Sequence, residues 1–276
     1  MTDLTRSLLA SSSINREETF VEDYFRTYLY VGSNSAENFD DIGINFSGFE
    51  GGSVEFDGDS WLTVNSTLLD DSLNSWELTC WVNGNVGVAS TDMGIIVDQY
   101  VGGESGRLLF GFQSSTLVMR VDGTTVYLTS STLSSDTWYH VCLNYDGTTH
   151  RLFIDGTLAD SDATVPAIYT GKNTQIGGGS DLTDFNLDGY IADFKVVHNQ
   201  TVNTTSFNVP TTASTVTTGT VFLALQGDTP LVDKSTNSYT ITPDDSGASP
   251  SVFGPFANNK KGLVWFKGRN RSSGAE

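Results

Sequence analysis

Positive charge is what this sequence has least of. Across 276 residues, 14 Lys and Arg stand against 33 Asp and Glu, a formal net charge of -19. Such a surface repels phosphate backbones and argues against a nucleic-acid-binding role. The acids are dispersed among Gly, Ser, Thr and Asn instead of forming one block, a pattern of solvated loops and strand faces. No apolar run approaches the roughly 18 residues of a membrane span, so membrane insertion is not expected. Residues 1–20 carry neither the apolar centre nor the cleavage pattern of a secretory signal. Cysteine is confined to Cys80 and Cys142. Each falls within a strand pattern where a small apolar residue would serve, so two reduced, buried thiols are expected.

Helical periodicity is almost missing as well. A brief helix is expected from Asn15, where Glu18 stands at capping-box spacing. Strand patterns follow at 25–31 (FRTYLYV) and 42–46, but the first 47 residues hold too few apolar positions for a core of their own and should dock elsewhere. From Ser53 the pattern is densely β: strands are expected at 54–56, 61–64, 76–82, 94–97, 107–112, 117–121 and 125–128, with Asp122-Gly123 as a turn. A large hairpin occupies 138–156, and further strands are expected at 174–176, 188–197 and 221–226. About a dozen strands without a convincing amphipathic helix imply two packed antiparallel sheets, an all-β sandwich. Leu78, Cys80, Val82, Val141, Leu143, Leu152 and Ile154 are its expected interior, although the alternation at 138–145 leaves the inward face of that strand open.

Chemistry is scarce. Glycoside hydrolysis needs two carboxyl groups flanking the scissile bond, and no ExDxE-like run occurs. Asp57 and Asp59 flank Gly58 in a tight-turn sequence. His140, His150 and His198 are the only histidines; none lies near a GxSxG motif or a second histidine at metal spacing. The GGGS at 177–180 lacks the residues of a phosphate loop and is expected to be a turn. No catalytic centre is therefore expected. Binding is the remaining chemistry, and an aromatic platform for sugar has Trp61, Trp81, Tyr100, Tyr169 and Tyr190 as candidates by residue type, each also suited to packing.

The hairpin WYHVCLNYDGTTHRLFIDG at 138–156 resembles the laminin-G-like, concanavalin A-like jelly rolls of lectins, pentraxin-like domains and phage structural proteins, where WYHVALV, a turn and LYVDG is usual. VEFDGDSWLTV at 54–64, SWELTCWVN at 75–83 and LDGYIADFKVVHN at 187–199 resemble other strands of that family, in the same order. The resemblance implies a jelly-roll sandwich over 48–256. It makes calcium an optional rim ligand, with Asp92, Asp98, Asp181, Asp184 and Asp188 in loops or strand ends, and it requires no cofactor. The run DKSTNSYTITPDDSGASPSVFGPF at 233–256 is similar to the closing segment of such modules in virion proteins of marine phages. KGLVWFKGRNRSS at 261–273 resembles their repeated GLVWIKGRS motif, and DYFRTYLYVGSNS at 23–35 the segment that usually precedes it. These motifs imply a virion appendage, tail-fibre or neck-fibre-like, assembled in the host cytoplasm, with 1–47 as an anchoring segment and 257–276 as the start of a further fibre motif. Its implied partners are other virion proteins, copies of itself with a trimer first, and host-surface polysaccharide. The alternative is a free carbohydrate-binding, lectin-like module, and a glucanase-like enzyme is a third reading.

Overall fold

The computed structural model describes residues 52–256, except 90–91, 100–105, 123–124, 169–172, 180–184, 228 and 245–246. The helix expected from Asn15, the strands expected at 25–31 and 42–46, and the segment 257–276 lie outside the described residues. Those residues form fifteen strands and no helix: β1 (Ser53–Asp57), β2 (Leu62–Val64), β3 (Trp76–Gly84), β4 (Gly94–Gln99), β5 (Leu108–Gln113), β6 (Thr116–Val121), β7 (Val126–Thr129), β8 (Tyr139–Tyr145), β9 (His150–Ile154), β10 (Thr157–Asp162), β11 (Thr174–Ile176), β12 (Asp188–His198), β13 (Thr220–Ala224), β14 (Ile241–Pro243) and β15 (Ser249–Ser251).

They make two antiparallel sheets. The eight-stranded sheet runs β10-β9-β8-β3-β12-β1-β15, with β13 beside the second half of β12, and the seven-stranded sheet runs β14-β2-β11-β4-β5-β6-β7. One large apolar cluster, drawn from both sheets, fills the space between them. In β3 the period-2 pattern holds: Trp76, Leu78, Cys80 and Val82 are buried, while Glu77, Thr79 and Trp81 are half-buried on the other face. Neighbouring registers Cys80↔Val141 and Leu78↔Leu143 turn Val141 and Leu143 of β8 inward, which settles the face of that strand. Leu152 joins the same cluster, and Ile154 packs against it half-buried. Both thiols are free and buried. Because Cys80 faces Val141 and Thr79 faces Cys142, the two sulfurs lie on opposite faces of the sheet. Burial pushes both thiols up, Cys142 well above its ordinary range, and neither is a reactive thiolate.

The turns follow their sequences. Gly58 takes φ +89°, and the Asp57 carboxylate accepts the Asp59 N–H at 3.1 Å, so FDGDS is a turn. Gly177 takes φ +84°, and a Cβ there would lie 2.1 Å from the Phe56 ring; only glycine lets that turn close on the core. In the β8–β9 turn, Asp146 accepts the backbone N–H groups of Thr148 and Thr149 and bonds Arg151 at 2.7 Å. Burial alone would raise this carboxyl, but the Thr148 hydroxyl, Arg151 and the two N–H groups outweigh it and hold the pKa at about 2. A carboxyl depressed on folding stabilises the native state above its unfolded pKa, and that contribution is lost as pH falls through the folded value. Asp146→Ala is therefore expected to cost about 2 kcal/mol at neutral pH and to flatten the fall in stability between about pH 4 and pH 2. Urea midpoints across that window check it.

The chain beyond β12 completes the sandwich. β13 extends the eight-stranded sheet, and β14 and β15 form edges of the two sheets. Asp233 fixes this segment: its carboxylate accepts the N–H groups of Leu223, Ser235 and Tyr239 at 2.8–3.1 Å and the Ser235 hydroxyl at 2.9 Å. The DKSTNSYTIT sequence thus caps the free edge of β13.

Candidate functional site

The outer face of the eight-stranded sheet carries most of the polar and aromatic side chains that its strands do not commit to the core. Trp81 points outward because Cys80 and Val82 take the inner face. Tyr190 in β12 sits opposite Asn83 of β3 and Glu55 of β1 on that same outer face. Trp138, just before β8, lies 6.4 Å from Tyr190 between ring centroids. The closing FGPF sequence at 253–256 follows β15, which pairs with β1. It sets Phe253 against Tyr190 at 4.9 Å and Trp138 at 5.4 Å, and Phe256 edge-on to Trp81 at 5.7 Å. Phe253 remains 46% exposed and its neighbour Val252 71% exposed, so the cluster opens to solvent.

Polar groups line it. The Tyr190 hydroxyl donates to Glu55 at 3.0 Å, and that carboxylate partner raises the phenol pKa above its usual 10. The Nε1 atoms of Trp81 and Trp138 are buried without a hydrogen-bond partner. An unmet buried donor costs about 1–3 kcal/mol, and such groups are uncommon away from functional sites or bound water. The cluster thus offers aromatic faces for C–H surfaces, with the two indole N–H groups lying beneath its surface.

Beyond Trp81 the face changes character. His140 meets Trp81 edge-on at 5.3 Å and Phe207 at 5.8 Å, and Phe207 packs on Phe153 at 5.4 Å. Phe207 belongs to the segment 199–219, which crosses this part of the sheet and is pinned by the Phe207 N–H donating to the Gly156 carbonyl at 2.8 Å. Beneath it the Glu77 carboxylate accepts the Asn144 amide at 3.1 Å and both the backbone and side-chain N–H groups of Asn203 at 2.9–3.1 Å. Burial pushes the His140 pKa down to about 4, so the imidazole is neutral at physiological pH.

Of the aromatic residues singled out from sequence, Trp81 and Tyr190 come together on this face. Trp61 stands apart, half-buried between β1 and β2, with its N–H donating to Asp244 at 3.1 Å and its carbonyl accepting the Asp244 N–H at 3.0 Å. Tyr100 and Tyr169 lie outside the described residues, as do Asp181 and Asp184. Asp98 is buried within β4 and holds Arg107 through two bonds of 3.0 and 2.6 Å. Asp92 is half-buried in a loop, and Asp188 is exposed at the start of β12. Among the described residues no group of three or more His, Cys, Asp or Glu is placed to hold a metal ion. Trp138, Phe253 and Phe256 escaped sequence reasoning, although the WYH and FGPF sequences contain them.

Fold and outer face together define an all-β, jelly-roll sandwich of the lectin kind. The chain belongs to the concanavalin A-like lectin/glucanases superfamily, whose laminin-G family matches residues 56–202, more than half of its length. A candidate carbohydrate-binding protein from Bacteroides ovatus is similar over 73% of this chain and 59% of its own, at 14% identity and a TM-score of 0.50. The chain thus spans less than two thirds of that protein. The native heptameric SAP-like pentraxin of Limulus polyphemus is similar over 54% of this chain and 76% of its own, at 15% identity and a TM-score of 0.43. Domains LG4-5 of the mouse laminin alpha1 chain are similar over 58% and 44%, at 10% identity and a TM-score of 0.43. At such identities the likeness is one of fold. Among curated proteins no match is found.

Proposed function

We propose that the chain is a non-catalytic, carbohydrate-binding jelly roll carried on a phage virion appendage, a tail or neck fibre, where it recognises a host-surface polysaccharide. The observation that carries the binding reading is the solvent-open cluster of Trp81, Trp138, Tyr190, Phe253 and Phe256. Superfamily membership and the fold shared with the Bacteroides protein support it. Nearby carboxylates are committed to the chain's own donors, Glu77 to Asn144 and Asn203 and Glu55 to Tyr190, which favours binding over hydrolysis.

The appendage rests on the sequence motifs at 23–35, 233–256 and 261–273. Residues 260–276 hold five of the 14 basic residues, Lys260, Lys261, Lys267, Arg269 and Arg271, against one acid, Glu276; a basic end on an acidic body suits contacts with neighbouring virion proteins and further copies, a homotrimer first. The second reading is a free lectin-like module, favoured by the way 203–256 supplies strands to both sheets and completes the sandwich. Labelled antibody seen by electron microscopy on particles, and loss of incorporation when residues 1–47 are deleted, support the appendage. A wild-type chain found only free in lysates favours the module. Polysaccharide binding is expected to persist in EDTA; loss in chelator, restored by calcium, would give that ion a role.

A further inference from the structure

Beneath the segment 199–217 the outer face of the eight-stranded sheet carries a half-open cavity of about 200 Å³, walled by β3, β8 and β12 and by the segment itself. Exposed Asn208 stands at its margin, and Thr79, His140, Lys195 and Phe207 line it. His140 is only 3% exposed, and its Nδ1 is buried without a hydrogen-bond partner. The ring is held edge-on between Trp81 and Phe207, so it cannot turn freely to find one.

The charges around the cavity choose the ligand. Lys195 already donates to the Thr215 carbonyl at 3.0 Å and the Thr217 hydroxyl at 3.1 Å, and it feels both Asp193 and Glu77. An anion would meet this acidic surplus. A cation would find Glu77 taken, since both its oxygens accept from Asn203 and one also from Asn144. A neutral ring bearing hydroxyls, which both donates and accepts and offers a C–H face to Phe207, meets neither obstacle.

We propose that this cavity is a second binding site, separate from the aromatic cluster, for one neutral hydroxylated ring of pyranose or cyclitol size, hydrogen-bonded to Thr79 and seated beside the His140 and Phe207 rings. It does not require the aromatic cluster to bind glycan. The test is an NMR titration of the intact chain, labelled in its histidine rings, with D-glucose, D-galactose and myo-inositol into the millimolar range. His150 and His198, buried or half-buried elsewhere, serve as internal references. At least one probe should displace the His140 signals saturably while the other two histidines stay still. The response should survive Tyr190→Ala, and Thr79→Val, which keeps the strand-favouring shape and removes only the hydroxyl, should weaken affinity about five- to tenfold. His140 signals that stay fixed with all three probes, or drift linearly, mean that water fills the cavity and overturn the proposal. Loss of the response in Tyr190→Ala, or full affinity in Thr79→Val, overturns it too.

Discussion

Arg107→Met is expected to lower the free energy of unfolding by about 3–5 kcal/mol. Arg107 is 1% exposed and Asp98 is fully buried, and the guanidinium grips the carboxylate through Nε at 3.0 Å and a terminal nitrogen at 2.6 Å. Methionine fills similar space and leaves the Asp98 charge inside the protein without that partner. The loss comes from a buried carboxylate deprived of its guanidinium, so adding Asp98→Leu should recover part of it, because a buried pair exchanged for apolar groups is often close to neutral. Chemical denaturation of the two variants separates the effects. Equal losses in the single and double variants would mean that the pair is not what the site depends on.

The largest functional effect is expected at the aromatic cluster. Tyr190→Ala combined with Trp138→Ala removes two faces of the ring cluster, while the core residues Val141, Leu143 and Ile191 are untouched. Each aromatic in a glycan platform resembles an interface anchor whose truncation costs upward of 2 kcal/mol, so the pair should weaken polysaccharide binding by at least about 100-fold. Trp61→Ala, between β1 and β2, is expected to leave binding within about twofold, the range of a residue outside an interface. Calorimetric titration of the three proteins against the same polysaccharide checks both statements. A Trp61 variant that fails where the cluster variant binds would move the site.

Fold class was legible in the sequence because one face of strands such as β3 is core and the other is not, and the alternation of Trp76, Leu78, Cys80 and Val82 is the direct print of that. β8 was harder to orient: His140, Cys142 and Asn144 on its outer face are buried, like Val141 and Leu143 within, so its two faces look alike in sequence. β10 (TLADSD) was missed because it is a polar, mostly exposed edge strand, placed by its pairing with β9. β14 and β15 are three residues long, each with a proline, Pro243 and Pro250. Proline belongs at sheet edges but disguises a strand. For the outer face, composition named Trp81 and Tyr190, but no local pattern joins residues 81, 138, 190, 253 and 256. Only the register of β1, β3, β12 and β15 brings them together.

The proposed function requires this outer face to bind glycan without cleaving it. The most direct measurement probes a glycan array with the intact chain and assays each bound glycan for new reducing ends. Saturable binding to at least one glycan, lost in the Tyr190→Ala, Trp138→Ala variant and free of new reducing ends, is the predicted result. No binding across the array, or release of reducing ends that a single Asp or Glu substitution abolishes, would contradict it.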